Sequence, residues 1–310
     1  MPATPENSSH TSSSGLNNGW SYRDRIERAA DGKFLLAYYE ARYPHSDAAS
    51  WQQRLRDGEI ERNGLRINTD QALEMGDELI WHRPPWREPD VPLNFEIIDD
   101  NGDLIVINKP SGLPVMPAGG FLDHTLLALL EKRWPDTPPR PVHRLGRGTS
   151  GLLLAARKTE TRAWLSAAFR DHGEVEKVYR CLTEPVQLED EGHIDLPIGK
   201  QDHPKLGRLW CANADGLPSR SDFRVLRRNP ESNLLEVRIH TGRPHQIRIH
   251  LAAIGAPLLG DPLYTCGGKA KDLEALPGDL GYHLHAHRVR INTPEGQPLA
   301  FEAPLPEVLL

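Results

Sequence analysis

The chain has 310 residues, enough for one large core with a smaller module attached. Hydrophobic residues make up 38% and charged residues 26%, and no apolar run approaches the roughly 18 to 20 residues of a membrane helix, which predicts a soluble protein. The formal net charge of −6 argues against a surface built throughout for nucleic acid, so any phosphate-binding site has to be local.

The segment from Met1 to Trp20 is rich in Ser, Asn, Thr and Pro, and it lacks a basic start, an apolar stretch and any arginine. It reads as a disordered tail over 1–20, with neither a secretory signal nor a transit peptide. Cys181, Cys211 and Cys266 are odd in number and widely spaced, so neither a disulfide framework nor a CxxC metal knuckle is expected, and a reducing, cytoplasmic setting fits.

Helical apolar spacing covers Lys33 to Tyr43 and Ala48 to Arg56, the second behind Asp47 as N-cap. A hairpin follows around Asn63-Gly64, then a strand from Gly76 to Trp81. Together these form a small module over 21–82. The proline-rich stretch 83–94 reads as a linker.

From 95 to 310 the texture changes to short β-rich runs: Phe95 to Asp99, Leu104 to Asn108, Val142 to Leu145, Gly151 to Ala156, Val175 to Leu182, Leu234 to His240 and Leu284 to Ile291. Helices are predicted at Leu126 to Trp134, capped by Asp123 or Thr125, and at Thr159 to His172, ended by Gly173. A third starts with Pro244 in its first turn, carries Ile247, Leu251 and Ile254 on one face and stops at Gly255. Asp195 to Lys205 reads as a loop-rich segment. Strands and helices in this mixture define an α+β fold.

Gly146-Arg147-Gly148-Thr149-Ser150-Gly151 matches the GxGxxG pattern of dinucleotide sites. A lone match is weak: the last glycine should open a helix, whereas Leu152 to Ala156 could be a buried strand or a helix start, and no second βαβ unit follows. The spacing around Ser150 is wrong for a GxSxG nucleophile elbow. His283, His285 and His287 alternate and could present a metal-ligand row, but no cysteine or further carboxylate is grouped beside them, so no metal site is predicted.

Val142-His143-Arg144-Leu145-Gly146-Arg147-Gly148-Thr149-Ser150-Gly151-Leu152 resembles the first signature of RluA-type RNA pseudouridine synthases, His-Arg-Leu-Asp-x-x-Thr-Ser-Gly before an apolar run. Lys177-Val178-Tyr179 resembles the second signature. His240-Thr241-Gly242-Arg243-Pro244-His245-Gln246-Ile247-Arg248 resembles the third, with Gly260-Asp261-Pro262-Leu263-Tyr264 after it, and Asn108-Lys109-Pro110-Ser111-Gly112-Leu113 resembles the turn that opens the catalytic domain. The module before it is similar to a small RNA-binding domain shared with a small-subunit ribosomal protein.

The resemblance implies a mixed, mostly antiparallel sheet with flanking helices and a central cleft. It also implies conversion of uridine to pseudouridine in structured ribosomal or transfer RNA, without cofactor or metal. The base is flipped out, its glycosidic bond is broken and it is rejoined through carbon. In the family an aspartate does the covalent or proton-abstracting work, an aromatic stacks on the uracil and an arginine pairs with the aspartate. Carried over, these positions are Gly146, Tyr179 and Arg248. RNA contacts are implied for His143, Arg144, Leu145, Arg147, Thr149, Ser150, Lys177, Arg243, His245, Gln246 and Ile247. Period-two geometry puts Lys177 and Tyr179 on one strand face.

Gly146 departs from the pattern, because glycine can supply neither nucleophile nor base. Two readings follow: another acid, with Asp123, Asp261, Glu174 and Glu176 as candidates, or an altered mechanism carries the isomerisation, or the protein is a catalytically inactive relative that acts as an RNA-binding or assembly factor. RNA is the expected partner and a monomer the favoured state.

Overall fold

A computed structural model describes residues 15–43, 46–171, 173–204, 206–270 and 275–310. The chain divides into two compact units, the first ending at Glu88 and the second running from Pro89 to Leu310. Most of the expected N-terminal tail, residues 1–14, lies outside the described residues. Its last part is built into the first unit: Asn17 donates its side-chain amide to Glu88 at 2.7 Å, and a strand begins at Trp20.

The first unit holds β1 (Trp20–Arg25), α1 (Leu35–Arg42), α2 (Ala48–Arg56), β2 (Ile60–Arg62), β3 (Leu65–Ile67) and β4 (Glu78–Arg83), with an antiparallel sheet ordered β1-β4-β2-β3. Asp47 caps α2 by accepting the Ser50 N–H at 2.9 Å, as its sequence position predicts. The hairpin turns on Asn63 and Gly64, both at positive φ (52° and 82°), as a two-residue Asn-Gly loop requires. Trp51 is the centre of this core, stacked on Tyr39 at 4.5 Å and edge-on to Trp81 at 4.8 Å.

In the second unit the order is β5 (Glu96–Asp100), β6 (Leu104–Lys109), α3 (Leu126–Arg133), β7 (Arg140–Pro141), β8 (Ser150–Ala156), α4 (Thr159–Arg170), β9 (Val175–Thr183), β10 (Glu191–Asp195), β11 (Ile198–His203), β12 (Gly207–Ala212), β13 (Arg220–Arg228), β14 (Asn233–Ile239), α5 (Gln246–Ala253), β15 (Tyr264–Thr265), β16 (Lys269–Ala270), β17 (Leu284–Asn292) and β18 (Pro298–Glu302). Eight of the strands run β10-β13-β14-β9-β17-β8-β6-β5, with β18 added to β17 and β7 to β8. All of these pairings are antiparallel except β8 with β17, so the fold is the expected mixed, mostly antiparallel α+β type.

The parallel pairing is only two residues long, Ser150 with His285 and Gly151 with Ala286, and it joins the two halves of the sheet. Gly151 sits at φ +100°, and a Cβ there would lie 2.2 Å from the Ala286 carbonyl oxygen. Only glycine lets the strands meet at this point. One half is packed around Leu104–Ile107 and Leu152–Ala156, the other around Cys181, Leu235, Val237, Ile247 and Leu251.

Three sequence expectations are corrected. Val142 to Leu145 is an extended loop with no ladder; β7 is confined to Arg140–Pro141, because His143 turns back to accept the Leu154 backbone N–H. The third helix starts at Gln246 rather than near Pro244, since His245 adopts the left-handed conformation (φ 57°) that precedes the first helical residue. The stretch from Asp195, predicted to be loop, contains the β11–β12 hairpin; of that stretch Lys205 lies outside the described residues.

Candidate active site

Lys109 is fully buried, and its Nζ donates to the carbonyls of Pro110 (2.8 Å), Leu113 (2.8 Å) and Arg147 (3.3 Å). This ties the turn after β6 to the loop that carries Gly146. Burial pushes the amine down to about 7. Two more bonds complete the fastening, Ser111 Oγ to the Gly148 carbonyl (2.8 Å) and Gly112 N–H to the Arg147 carbonyl (2.8 Å). The Asn-Lys-Pro motif marked this segment in the sequence, but it offered no sign that the lysine would hold the glycine loop.

Within the loop, Thr149 N–H closes a tight turn on the Gly146 carbonyl at 3.0 Å, and Gly146 itself is exposed. Its φ is not positive, so its backbone does not demand glycine. Arg147 donates Nε to the Gly112 carbonyl (3.2 Å) and lies over the Phe121 ring, whereas Arg144 is exposed. His143 stacks on Phe169 at 4.1 Å, and desolvation with the nearby Lys177 charge holds its imidazole down at about 3, so it is neutral. Leu145 is buried. Ser150 Oγ faces the other side of the sheet, 2.8 Å from His285 Nδ1, next to a cavity of about 570 Å³ also lined by Phe95, Ser111 and Pro306. That cavity lies behind the sheet, since His285 faces with Arg180 while Ala286 faces with Tyr179.

The second motif lies on β9 as the alternation predicts. Lys177 and Tyr179 share a face; Lys177 is buried and its amine is pushed down by desolvation, and Tyr179 is held between Ala286 of β17 and Val237 of β14. Burial raises the Tyr179 phenol to about 12, so it stays protonated.

The third motif forms the corner into α5. Gln246 Oε1 accepts from Thr241 Oγ1 (2.7 Å) and the Arg243 N–H (3.0 Å), while its Nε2 donates to the Arg220 carbonyl (2.9 Å) and Ser221 Oγ (3.0 Å). The side chain is spent on the corner. Ile247 is in the core beside Leu235 and Val237 and presents no polar atom. Arg243 is half-buried, reaching towards the Pro218 carbonyl. His245 Nδ1 lies 2.7 Å from Tyr264 Oη, which itself donates to the Trp210 carbonyl, an arrangement that fits a proton on Nδ1. Burial, reinforced by Arg248, holds His245 down at about 4.

Arg248 is 2% exposed and already has its acid. Its Nε donates to Asp261 Oδ2 at 2.7 Å and its Nη2 to Oδ1 at 2.8 Å, with Nη1 on the Pro277 carbonyl at 2.9 Å. Burial disfavours both charges, but the fork-to-fork pair outweighs it, leaving Asp261 below and Arg248 above their ordinary ranges. The partner implied at position 146 is thus supplied from the Gly260-Asp261-Pro262 turn. Arg248 also lies over the rings of Tyr282 (4.3 Å) and Tyr264 (4.9 Å).

The three motifs come together. Tyr282 Oη stands 3.5 Å from where a Cβ of Gly146 would be, its ring lies under Arg248, and Lys177 Nζ approaches Gly242 to 3.9 Å on the same reckoning. Tyr282 carried no signal in the sequence: it lies outside every motif and enters only because β17 returns beside β8.

This combination of a fastened glycine loop, a strand bearing Lys-x-Tyr and a buried arginine on the following helix corner defines an enzyme of the pseudouridine synthase class. The family model described as RNA pseudouridylate synthase matches residues 103–253. The chain belongs to this family, in its RluA-type branch. An uncharacterized RNA pseudouridine synthase of Synechocystis is 44% identical over 278 residues, spanning 89% of this chain and 95% of that protein. RNA pseudouridine synthase 5 of Arabidopsis thaliana is 37% identical, spanning 95% of both. The ribosomal large subunit pseudouridine synthase D of Pseudomonas aeruginosa is 31% identical over 93% of this chain and 95% of its own. Among solved structures, human RNA pseudouridylate synthase domain containing 1 is similar with a TM-score of 0.53 at 26% identity, over 71% of this chain and 86% of that one.

Proposed function

We propose that this protein isomerises uridine to pseudouridine at a defined position of a structured cytoplasmic RNA, with large-subunit ribosomal RNA as the first class to test. What supports the reading is that Tyr282 joins the Gly146 loop to Arg248 and that Lys177 of the Lys-x-Tyr strand reaches the Gly242 corner, with Lys177, Arg144 and Arg147 as local positive charge on a chain whose net charge is −6. In this reading Tyr179 stacks on the flipped uracil and the arginines hold flanking phosphates. His245, neutral at ordinary pH, sits at the corner as an uncharged hydrogen-bonding group.

Gly146 favours one second reading, in which the fold binds RNA without modifying it. Chemical mapping of pseudouridine across cellular RNA with and without the gene separates the two, followed by adding purified protein to the unmodified RNA. A site lost on deletion and restored by the protein is the expected result. A full set of sites in the deletion strain, with purified protein still binding RNA, selects the non-catalytic reading.

A further inference from the structure

Among the described residues other than its two chain neighbours, a Cβ at Gly146 would have within 4 Å Thr149 Oγ1 (3.4 Å) and Tyr282 Oη (3.5 Å), and no carboxylate oxygen. The four candidate acids are committed or placed elsewhere. Asp261 is locked on Arg248 and also accepts the Leu263 and Tyr264 N–H groups. Glu176 alternates with Lys177, so it points to the opposite face of the sheet, towards Arg290. Glu174 lies in the exposed turn before β9, and Asp123 is exposed in the segment before α3.

Tyr282 is different on three counts. It is 5% exposed as a residue, but among the described residues its hydroxyl makes no hydrogen bond and the oxygen is not sealed from solvent, so it stays open to a substrate atom. Its ring end fits against the loop because residue 148 is glycine: a Cβ at Gly148 would come within 2.9 Å of both Cζ and Oη. Arg248 lies over the ring with its guanidinium carbon 4.3 Å from the centroid, which fixes the ring in place against the loop.

We propose that Tyr282 Oη is the nucleophile that replaces the missing carboxylate, an inference that rests on the isomerase reading. Oη attacks C1′ of the uridine as the C1′–N1 bond breaks; the electron pair of that bond leaves with the uracil, and the phenol proton passes to N1. The freed base turns in place. C5 then attacks C1′, the aryl ether bond breaks with its electron pair returning to Oη, and the hydrogen on C5 leaves as the proton that restores the phenol. N1 has gained one hydrogen, C5 has lost one, and the protein is unchanged, so no oxidant or co-reactant is needed.

The test uses the full-length protein and the RNA it restores in the add-back experiment. Tyr282→Phe keeps the ring and the Arg248 contact and removes only the oxygen. The expected result is a rate at least about a thousandfold lower, the scale of losing a nucleophile, with RNA affinity and melting temperature as in the parent. Replacing Tyr282 by a ring-fluorinated tyrosine, nearly the same shape but a more acidic phenol, shifts the rate and its pH profile together, which a packing role would not do. Wild-type rates in Tyr282→Phe, or a fluorinated protein that matches the parent, overturn the proposal while leaving the isomerase reading standing. A parent protein that restores no site overturns both.

Discussion

Gly146 and Gly148 are two residues apart and do different work. A methyl at Gly146 meets its neighbours at 3.4 to 3.5 Å, ordinary contact, whereas one at Gly148 meets the Tyr282 ring at 2.9 Å. Gly146→Ala should therefore leave stability within about 0.5 kcal/mol of the parent, and Gly148→Ala should cost about 1 to 3 kcal/mol by overpacking. Denaturant midpoints of the two variants check this, and equal values would show that the loop does not press on Tyr282. The same pair exposes a limit of reading by position. The motif announced a missing carboxylate at 146, but the phenol facing that gap comes from the segment leading into β17, 136 residues further along the chain.

Among the elements, the Gly146 loop has no ladder or helix of its own and borrows its rigidity from the turn after β6. Lys109 makes three bonds to carbonyls there, one of them across to Arg147, and all three protons of the charged amine are needed to make them. Lys109→Met would leave the Pro110 and Leu113 carbonyls unpaired, at about 1 to 3 kcal/mol apiece where no water enters, while the Arg147 carbonyl keeps the Gly112 N–H. The expected outcome is a loss of about 3 kcal/mol of stability, with hydrogen exchange at the Thr149 amide accelerated beyond that of the β8 amides. Unaltered protection at Thr149 would mean that the loop holds its shape without the lysine. The Asp261–Arg248 pair works in a comparable way on the opposite side, bracing α5 against the Gly260–Tyr264 turn rather than facing Gly146. Strand β9, α2 and the Asn63-Gly64 hairpin were each legible from local pattern, because alternation, a cap and a two-residue turn are short-range properties. The Val142–Leu145 stretch was not, since an apolar run of that length suits a strand and a buried loop equally.

Across the whole molecule, acid should weaken the fold through its buried histidines. Burial, with neighbouring positive charge, holds His143 at about 3 and His245 at about 4, and burial with His287 holds His285 at about 4, all below the unfolded value near 6.5. The unfolded chain therefore binds more protons than the folded one between those limits. Their contribution is intact above about pH 6.5 and is lost as the pH falls towards 4, by up to about 1.4 kcal/mol per pH unit for each histidine. Unfolding titrations from pH 7.5 to 4.5 measure it, and a flat stability profile over that range would show that these rings take up protons in the folded state as readily as in the unfolded one.

By itself, the sequence determined the family, the α+β class and the strand face shared by Lys177 and Tyr179, because these depend on motif order and on local periodicity. Only the tertiary structure decided which acid holds Arg248, what fastens the Gly146 loop and which oxygen stands beside Gly146. Each of those contacts joins segments whose proximity comes from sheet order rather than from spacing along the chain: β6 beside β8, and β17 returning between β8 and β9. Such pairings follow from burying two half-sheets in one core and stitching them at Gly151, and no local pattern encodes them.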